Sequence, residues 1–336
     1  NRIGFFLHTP LAPEELLRTL PPHRELIGAL QYYDLVGLQS GEDLRALREY
    51  FTQTLSARLQ SDGALHMPDG RVFQAAVFPI SIDTRAIVEY AEKAAGLPAM
   101  QRMRSSLSGR ALMIGVDRLD YSKGLPGRFE AFACMLEHHP ELRNRVTLLQ
   151  IAPPSRSQVP EYQQLRVVLE QAAGHINGQY AEPDWIPIRY VNKSFSQRRL
   201  AGFYRIAQVA VVTPLRDGMN LVAKEFVACQ APEDPGVLIL SRFAGAAAEL
   251  DAALRVNPYD QDEMAETMAR ALQMSLSERR SRWRSMMDHL CNNDVNHWLE
   301  RFLARLDASE PDGDLATDPD FLPATPATGQ FAQPYT

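Results

Sequence analysis

The densest chemistry in this sequence lies between Thr213 and Glu225, which read Thr-Pro-Leu-Arg-Asp-Gly-Met-Asn-Leu-Val-Ala-Lys-Glu. The apolar run over 208–213 predicts a strand, the polar turn after it a loop, and a helix begins near Met219. In parallel α/β sheets, ligands bind at the carboxyl ends of strands. A helix start adds unpaired N–H groups and a partial positive charge, which would stabilise a diphosphate. Gly218 lets backbone approach a ligand closely. Glu225 falls about two turns into the helix; an ionised carboxylate is acceptor-only and suits the two hydroxyls of a ribose. The plainer alternative is an ordinary βα unit in which Asp217 caps the helix and Glu225 is a surface residue.

Three further segments place polar groups after apolar runs. Gly115 to Gly124 carries Arg118 and Lys123 in one loop. Arginine can grip phosphate oxygens bidentately and lysine acts as a point charge, so the pair would offset negative charge on a departing diphosphate. The alternative is two surface cations bridged to Asp117 or Asp120. Gln150 to Arg156 ends a strand in two prolines, which stiffen the exit before a candidate anion-binding Arg156. His8 closes the first apolar run and could hydrogen-bond a sugar hydroxyl or charge developing near an anomeric carbon, although a lone histidine there can equally be structural. His138 and His139 are adjacent at a helix end and point different ways, which argues against a metal site. No GxSxG, HExxH, Walker-type or GxGxxG pattern occurs.

Alternating elements must position these loops. Strands are expected at 3–7, 34–38, 76–80, 111–116, 146–151, 187–191, 208–213, 236–240 and 254–256. Helices are expected at 42–58, 125–138, 158–173, 196–206, 219–229 and 261–275. That alternation implies parallel sheets of βαβ units. The stretch 83–108 reads as a connection between two α/β domains, 277–307 as a last helical block, and 308–336 as a disordered Pro/Asp/Ala/Thr tail. The length, 336 residues, fits about two domains. A net charge of −6 gives no sign of a nucleic-acid or membrane-surface partner, and no apolar run is long enough for a membrane span. Cys134, Cys229 and Cys291 are widely spaced and odd in number, which reads as free thiols in a reducing cytoplasm. The chain starts at Asn1, directly before a strand, and therefore reads as a fragment with sequence missing before it.

Taken in order, His8-Thr9-Pro10, Asp117 to Gly124, Ile151-Ala152-Pro153 and Arg216 to Glu225 resemble the trehalose-6-phosphate synthases. The likeness spans about residues 1–306, and the pairing of the last segment with Arg118–Gly124 is its most specific part. It implies a GT-B architecture: two Rossmann-like domains facing across a cleft, the first incomplete here (1–83), the second over 84–276, with the helices of 277–307 packing back toward the first. It implies a retaining transfer of glucose from UDP-glucose to glucose 6-phosphate, with His8, Arg118, Lys123 and Asp217 at the reacting centre. The donor would be held by Arg118 and Lys123 on the diphosphate and by Leu221, Val222 and Glu225 on the nucleotide. Backbone of Phe195 would lie by the base, and Asp217, Gly218, Met219 and Asn220 against the glucose; Ala223 and Lys224 belong to the same stretch. Arg156 would take the acceptor phosphate, and Thr9 lies where the family influences anomer selectivity. No cofactor or metal is implied, since Arg and Lys supply the positive charge. The implied partners are the nucleotide-sugar and the sugar phosphate, with no nucleic acid or membrane and a homo-oligomer left open. Two departures stand out. Leu11-Ala12-Pro13 replaces the family's Phe-Pro after His-Thr-Pro, and the N-terminal segment that carries the glycine loop and most acceptor groups has no counterpart. A related transferase with another acceptor or nucleotide, or a silent nucleotide-sugar-binding fragment, therefore stays open.

Overall fold

A computed structural model describes residues 2–156 and 158–308. The first sheet contains β1 (Gly4–Phe6), β2 (Leu35–Leu38), β3 (Arg58–Leu59), β4 (Ala64–His66) and β5 (Val72–Val77), ordered β1-β2-β5-β4-β3. β1, β2 and β5 are parallel, with Phe5 opposite Val36 and Val36 opposite Ala75; β5, β4 and β3 continue antiparallel. Between β1 and β2 lie α1 (Glu14–Leu17) and α2 (His23–Gly28), and after β2 comes α3 (Gly41–Thr54). Ser40 caps α3 by accepting from the Asp43 N–H, satisfying a donor the helix itself cannot. Leu47, Tyr50 and Phe51 of α3 share a core with Val36, Leu38 and Phe73.

The second sheet is parallel throughout. It contains β6 (Ala111–Val116), β7 (Val146–Ile151), β8 (Ile188–Val191), β9 (Val209–Val212), β10 (Val237–Ser241) and β11 (Leu254–Val256), ordered β11-β10-β9-β6-β7-β8. Its helices are α4 (Thr84–Ala95), α5 (Pro98–Leu107), α6 (Leu125–His138), α7 (Pro160–Tyr180), α8 (Gln197–Ile206), α9 (Leu221–Cys229) and α10 (Gln261–Gln273). Both faces are covered, so the strands read as unbroken apolar runs. Alternate side chains enter different cores. Leu112, Ile114 and Val116 of β6 pack with Tyr204 and Phe226, whereas Met113 joins Phe129 and Phe132.

Two final helices link the sheets. α11 (Leu276–Asn292) buries Met286 and Leu290 in the second-sheet core, and its Trp283 indole donates to the Val227 carbonyl at 3.0 Å. α12 (Val295–Asp307) reaches the first sheet: Trp298 donates to the Phe78 carbonyl at 3.0 Å, and the Phe302 ring stands edge-on to Phe6 and Phe78. Among the described residues no helix is long and apolar enough to cross a membrane.

Three expectations change in detail. The stretch 83–108, expected as a connection between two α/β domains, carries two helices; Asp83 caps α4, Pro98 opens α5, and α4 packs on α8 and α9. The strand expected at 76–80 is β5, displaced to Val72–Val77, and the short hairpin β3–β4 that precedes it was not anticipated. The helix of the Thr213–Glu225 unit, expected to begin near Met219, starts at Leu221, because Asn220 forms its cap. The expected tail lies, after Ala308, outside the described residues.

Candidate functional site

The carboxyl ends of β6 and β9 open on a cavity of about 430 Å³ lined by Val116, Asp117, Arg118, Lys123, Asp217, Met219, Asn220, Leu221, Val222 and Glu225, with His8, Gln39 and Ile80 facing them from the first domain. Lys123 ends a short 3-10 turn, Tyr121–Lys123, that Asp120 caps through the Ser122 N–H and hydroxyl. Its ammonium ion-pairs with Asp217 at 2.6 Å, and the Asn220 amide donates to the same carboxylate oxygen at 2.9 Å. Arg118 is exposed, and among the described residues nothing pairs its guanidinium. Asn220 holds φ +80° and accepts from the Ala223 N–H at 3.2 Å. It, rather than Asp217, therefore caps α9. Glu225 accepts from Gln197 at 3.1 Å and Tyr204 at 3.5 Å; burial raises its carboxyl above the ordinary 4.5, against those two hydrogen bonds.

A polar cluster lies beneath these loops. Arg128 of α6 is fully buried, yet it donates to Asp117 at 2.6 Å, Gln150 at 2.8 Å, Thr213 at 3.0 Å and the Lys123 carbonyl at 3.4 Å. These partners sit at the ends of β6, β7 and β9. Burial raises the Asp117 carboxyl, and the Arg128 guanidinium is the main force opposing that rise. Asp117 therefore holds Arg128 instead of bridging the loop cations.

The first sheet meets the site through backbone. A Cβ on Gly218 would overlap the His8 carbonyl, so the close approach that glycine permits here is to protein backbone. Arg216 donates to the Leu11 carbonyl at 2.6 Å, and the Leu11 N–H donates to Asp43 at 2.8 Å. Leu11, the residue that departs from the family's pattern, is buried in the first core. A second cavity, about 620 Å³, lies beyond Gly218 among Pro10, Arg45, Arg216, Arg242 and Arg255.

Other expected residues lie outside the first cavity. The Lys224 side chain is fully buried and turned away, donating to the Ile80 carbonyl at 2.9 Å and pairing with Glu249 at 2.7 Å. Lys224 belongs to the expected donor stretch, and helix rotation points its side chain into the domain junction. Ala223 is buried in the core. Phe195 packs edge-on to Phe203 with Arg199 over its ring, and Thr9 is exposed. Arg156, at φ +46°, donates to the Tyr162 hydroxyl at 3.0 Å; Tyr162 in turn donates to Asp120 at 3.3 Å, which ties this loop to the cation turn.

Comparison with known proteins fits this geometry. The model of glycosyltransferase family 20 matches residues 1–308. The chain belongs to glycosyltransferase family 20. It is 50% identical over 312 residues to a trehalose-6-phosphate synthase of Sinorhizobium fredii, covering 92% of this chain and 66% of that protein. It superimposes with a TM-score of 0.89 on a UDP-forming alpha,alpha-trehalose-phosphate synthase of Burkholderia xenovorans solved with glucose-6-phosphate, at 49% identity over 92% of this chain and 69% of that one. An E. coli chain bound with UDP-2-fluoro glucose matches with a TM-score of 0.89 and 44% identity, over 92% and 68%. The two-sheet architecture is thus GT-B. The chain spans about two thirds of the length of the curated relatives it matches.

Sequence reasoning missed Gln39, Arg128 and Tyr162 in this family-20 chain. Gln39 had a readable signal, a polar residue directly after an apolar strand, and its side chain accepts from the Ile80 N–H at 3.0 Å. Two predictions follow from the buried groups. Arg128→Met should lower stability by about 3–5 kcal/mol in urea unfolding, because it strands the Asp117 carboxylate. Adding Asp117→Leu should recover part of that loss, and a double variant no more stable than the single one refutes the pairing account. For Glu225, a raised native pKa means the folded chain binds more protons than the unfolded one between 4.5 and the shifted value. Wild-type stability should therefore fall as pH rises through that window, and Glu225→Gln should remove this component from a pH series of thermal midpoints.

Proposed function

We propose that this chain is the donor-binding body of a retaining glucosyltransferase of trehalose biosynthesis, which moves glucose from UDP-glucose to glucose 6-phosphate and yields trehalose 6-phosphate and UDP. The observation that carries the reading is the convergence of Arg118, Lys123, Asp217, Asn220 and Glu225 on one cavity, with His8 opposite. Relatives named trehalose-6-phosphate synthase, and structures holding glucose-6-phosphate or UDP-2-fluoro glucose, support the choice of substrates.

In this reading Arg118 and Lys123 take the diphosphate, Glu225 accepts from the ribose hydroxyls, and Leu221 and Val222 flank the nucleotide. Asp217 and the Gly218-Met219-Asn220 backbone hold the glucose, which His8 contacts from the other domain. The bond between the anomeric carbon and the diphosphate oxygen breaks as a bond to the acceptor hydroxyl forms on the same face. The acceptor proton passes to the leaving diphosphate, so no enzymatic base is required. Positioned cations that neutralise the departing charge then supply most of the rate enhancement, and no metal is called for. Arg156 takes the acceptor phosphate from the β7 side. A cytoplasmic location is part of the same proposal, supported by cysteines that are all free thiols.

Incubating the natural full-length protein with UDP-glucose and glucose 6-phosphate should release UDP and a phosphorylated disaccharide; no release with any nucleotide-glucose donor refutes the activity. Arg118→Ala should lower kcat by about 10²–10³, as expected for losing one preorganised charge at the transition state. Arg156→Ala should instead raise KM for glucose 6-phosphate while leaving KM for UDP-glucose near its original value. Equal effects on both substrates would remove Arg156 from the acceptor site.

A further inference from the structure

α6 and α10 pack side by side, with Phe132 and Met135 of one and Met264 and Met268 of the other in a shared core. Along the outer rim of that seam, Cys134 and His138 stand four residues apart on α6, and Asp262 and Glu266 four apart on α10. Residues four apart share a helix face, so two pairs of candidate ligands confront each other. The Cys134 sulfur lies 3.4 Å from Asp262 Oδ1 and 3.7 and 3.8 Å from the two ring nitrogens of His138. One ligand atom each from Cys134, His138 and Asp262 falls within 4.8 Å of the other two. Glu266 Oε1 is 3.6 Å from His138 Nδ1, and both Glu266 oxygens are 3.2 Å from His139 Nε2.

Tetrahedral zinc, with Zn–S near 2.3 Å and Zn–N or Zn–O near 2.1 Å, sets its ligand atoms about 3.4–3.6 Å apart. The 3.4 Å between the sulfur and Asp262 is close to an edge of such a tetrahedron; the two His138 nitrogens are almost equally far from the sulfur, 3.7 and 3.8 Å, so a turn of this exposed ring places Nε2 at the third corner and leaves Nδ1 to Glu266. A thiolate, an imidazole and a carboxylate together favour zinc over magnesium or calcium, which prefer all-oxygen sites. We propose that Cys134, His138 and Asp262 bind a zinc-type divalent cation that staples α6 to α10, with water in the fourth position. Glu266, steadied by His139, orients the His138 ring, as carboxylates commonly do for metal-bound imidazoles. Adjacent histidines do point different ways, as the sequence implied, and here they divide the work: His138 is the ligand and His139 holds the carboxylate behind it. Burial and the surrounding carboxylates push the Cys134 thiol up to about 11, so without a cation it stays protonated and donates to Asp262. On binding, the sulfur–metal bond replaces the S–H bond and that proton goes to solvent. The site is roughly 15 Å along the α6 axis from Gly124, at 1.5 Å per residue, and is separate from the donor cavity.

The test is zinc alone, titrated by calorimetry into chelator-treated full chain, with cobalt substitution as the spectroscopic readout. Equimolar binding is expected, with a thiolate-to-cobalt charge-transfer band, tetrahedral d–d absorption and a thermal midpoint raised by zinc. Cys134→Ala should abolish the charge-transfer band and the zinc-induced rise. Glu266→Gln should weaken zinc by about tenfold. Cys291→Ala, which removes the exposed thiol, should change none of these. Absence of binding, a cobalt spectrum without the thiolate band, or effects that follow Cys291 instead of Cys134 overturns the proposal. The part-exposed position of Cys134 lets the alanine variant fold, and far-UV circular dichroism checks that it does.

Discussion

The buried Arg128–Asp117 pair is the constraint from which the site's geometry follows. Moving a guanidinium and a carboxylate out of water costs several kcal/mol per ion, and a pair repays this only if its remaining donors are also satisfied. Arg128 meets that condition by donating to Asp117, Gln150, Thr213 and the Lys123 carbonyl. Each acceptor ends a different piece of the sheet or its loop. Fixing them together fixes where β6 releases Arg118, where the 3-10 turn presents Lys123, where β7 enters the loop of Arg156, and where β9 turns toward Asp217. Gly115 belongs to the same arrangement, since a Cβ there would overlap both Gln150 and the guanidinium. A hydrophobic core alone would hold the strands without setting the heights of their ends, whereas the planar fork of one arginine sets several at once.

The first domain is joined to this frame mainly through its own carbonyl groups. Arg216 takes the Leu11 carbonyl, Lys224 the Ile80 carbonyl, Trp298 the Phe78 carbonyl, and the Val295 N–H the Ile82 carbonyl. Such contacts depend on backbone position and little on neighbouring side chains. Lys224 has the strictest requirement. Burial lowers its pKa, Glu249 opposes that, and Glu249 also contacts His289 of α11 at 3.1 Å. A lysine that sits in sequence among cavity-lining residues thus holds α9 against the domain junction, and the segment divides between its two helix faces.

How far the sequence could be read follows from the range of the forces involved. β6, β7 and α6 have the bounds the sequence predicted, because doubly buried parallel strands and a Gly-Leu-Pro helix start are local signals. β5 was displaced because its exposure alternates and it pairs on one side with the three-residue strand β4, too short to leave a pattern. The loops that line the cavity were readable, since strand, polar turn and helix follow one another in sequence. Arg128 was not: mid-helix it looks like any solvated arginine, and its acceptors lie 11, 22 and 85 residues away. For Lys224, Phe195 and Arg156 the neighbourhood was readable in the sequence, but where each side chain lies is decided by packing that spacing alone does not carry.

The pairing of Lys123 with Asp217 has a consequence for how the cavity's charge is arranged. A lysine with no anchor would lose side-chain entropy on meeting a phosphate, of order 2 kcal/mol, and Asp217 has already ordered it. The same carboxylate reduces the positive field, so the unpaired Arg118 and the N-terminus of α9 are the cavity's available attraction for an anion. On the proposed reading, an arriving diphosphate competes with Asp217 for Lys123 and turns that carboxylate, still held by Asn220, toward the sugar hydroxyls. One acidic residue then serves first to position the cation and afterwards to accept hydrogen bonds from the glucose. That exchange requires Asp217 to keep some access to solvent and Lys123 to reach both partners, and both are partly exposed, unlike Arg128 and Asp117 directly below, which are sealed from solvent. Rigid ion pairing underneath and exchangeable pairing above is what allows a preorganised floor to support a site whose charges must rearrange.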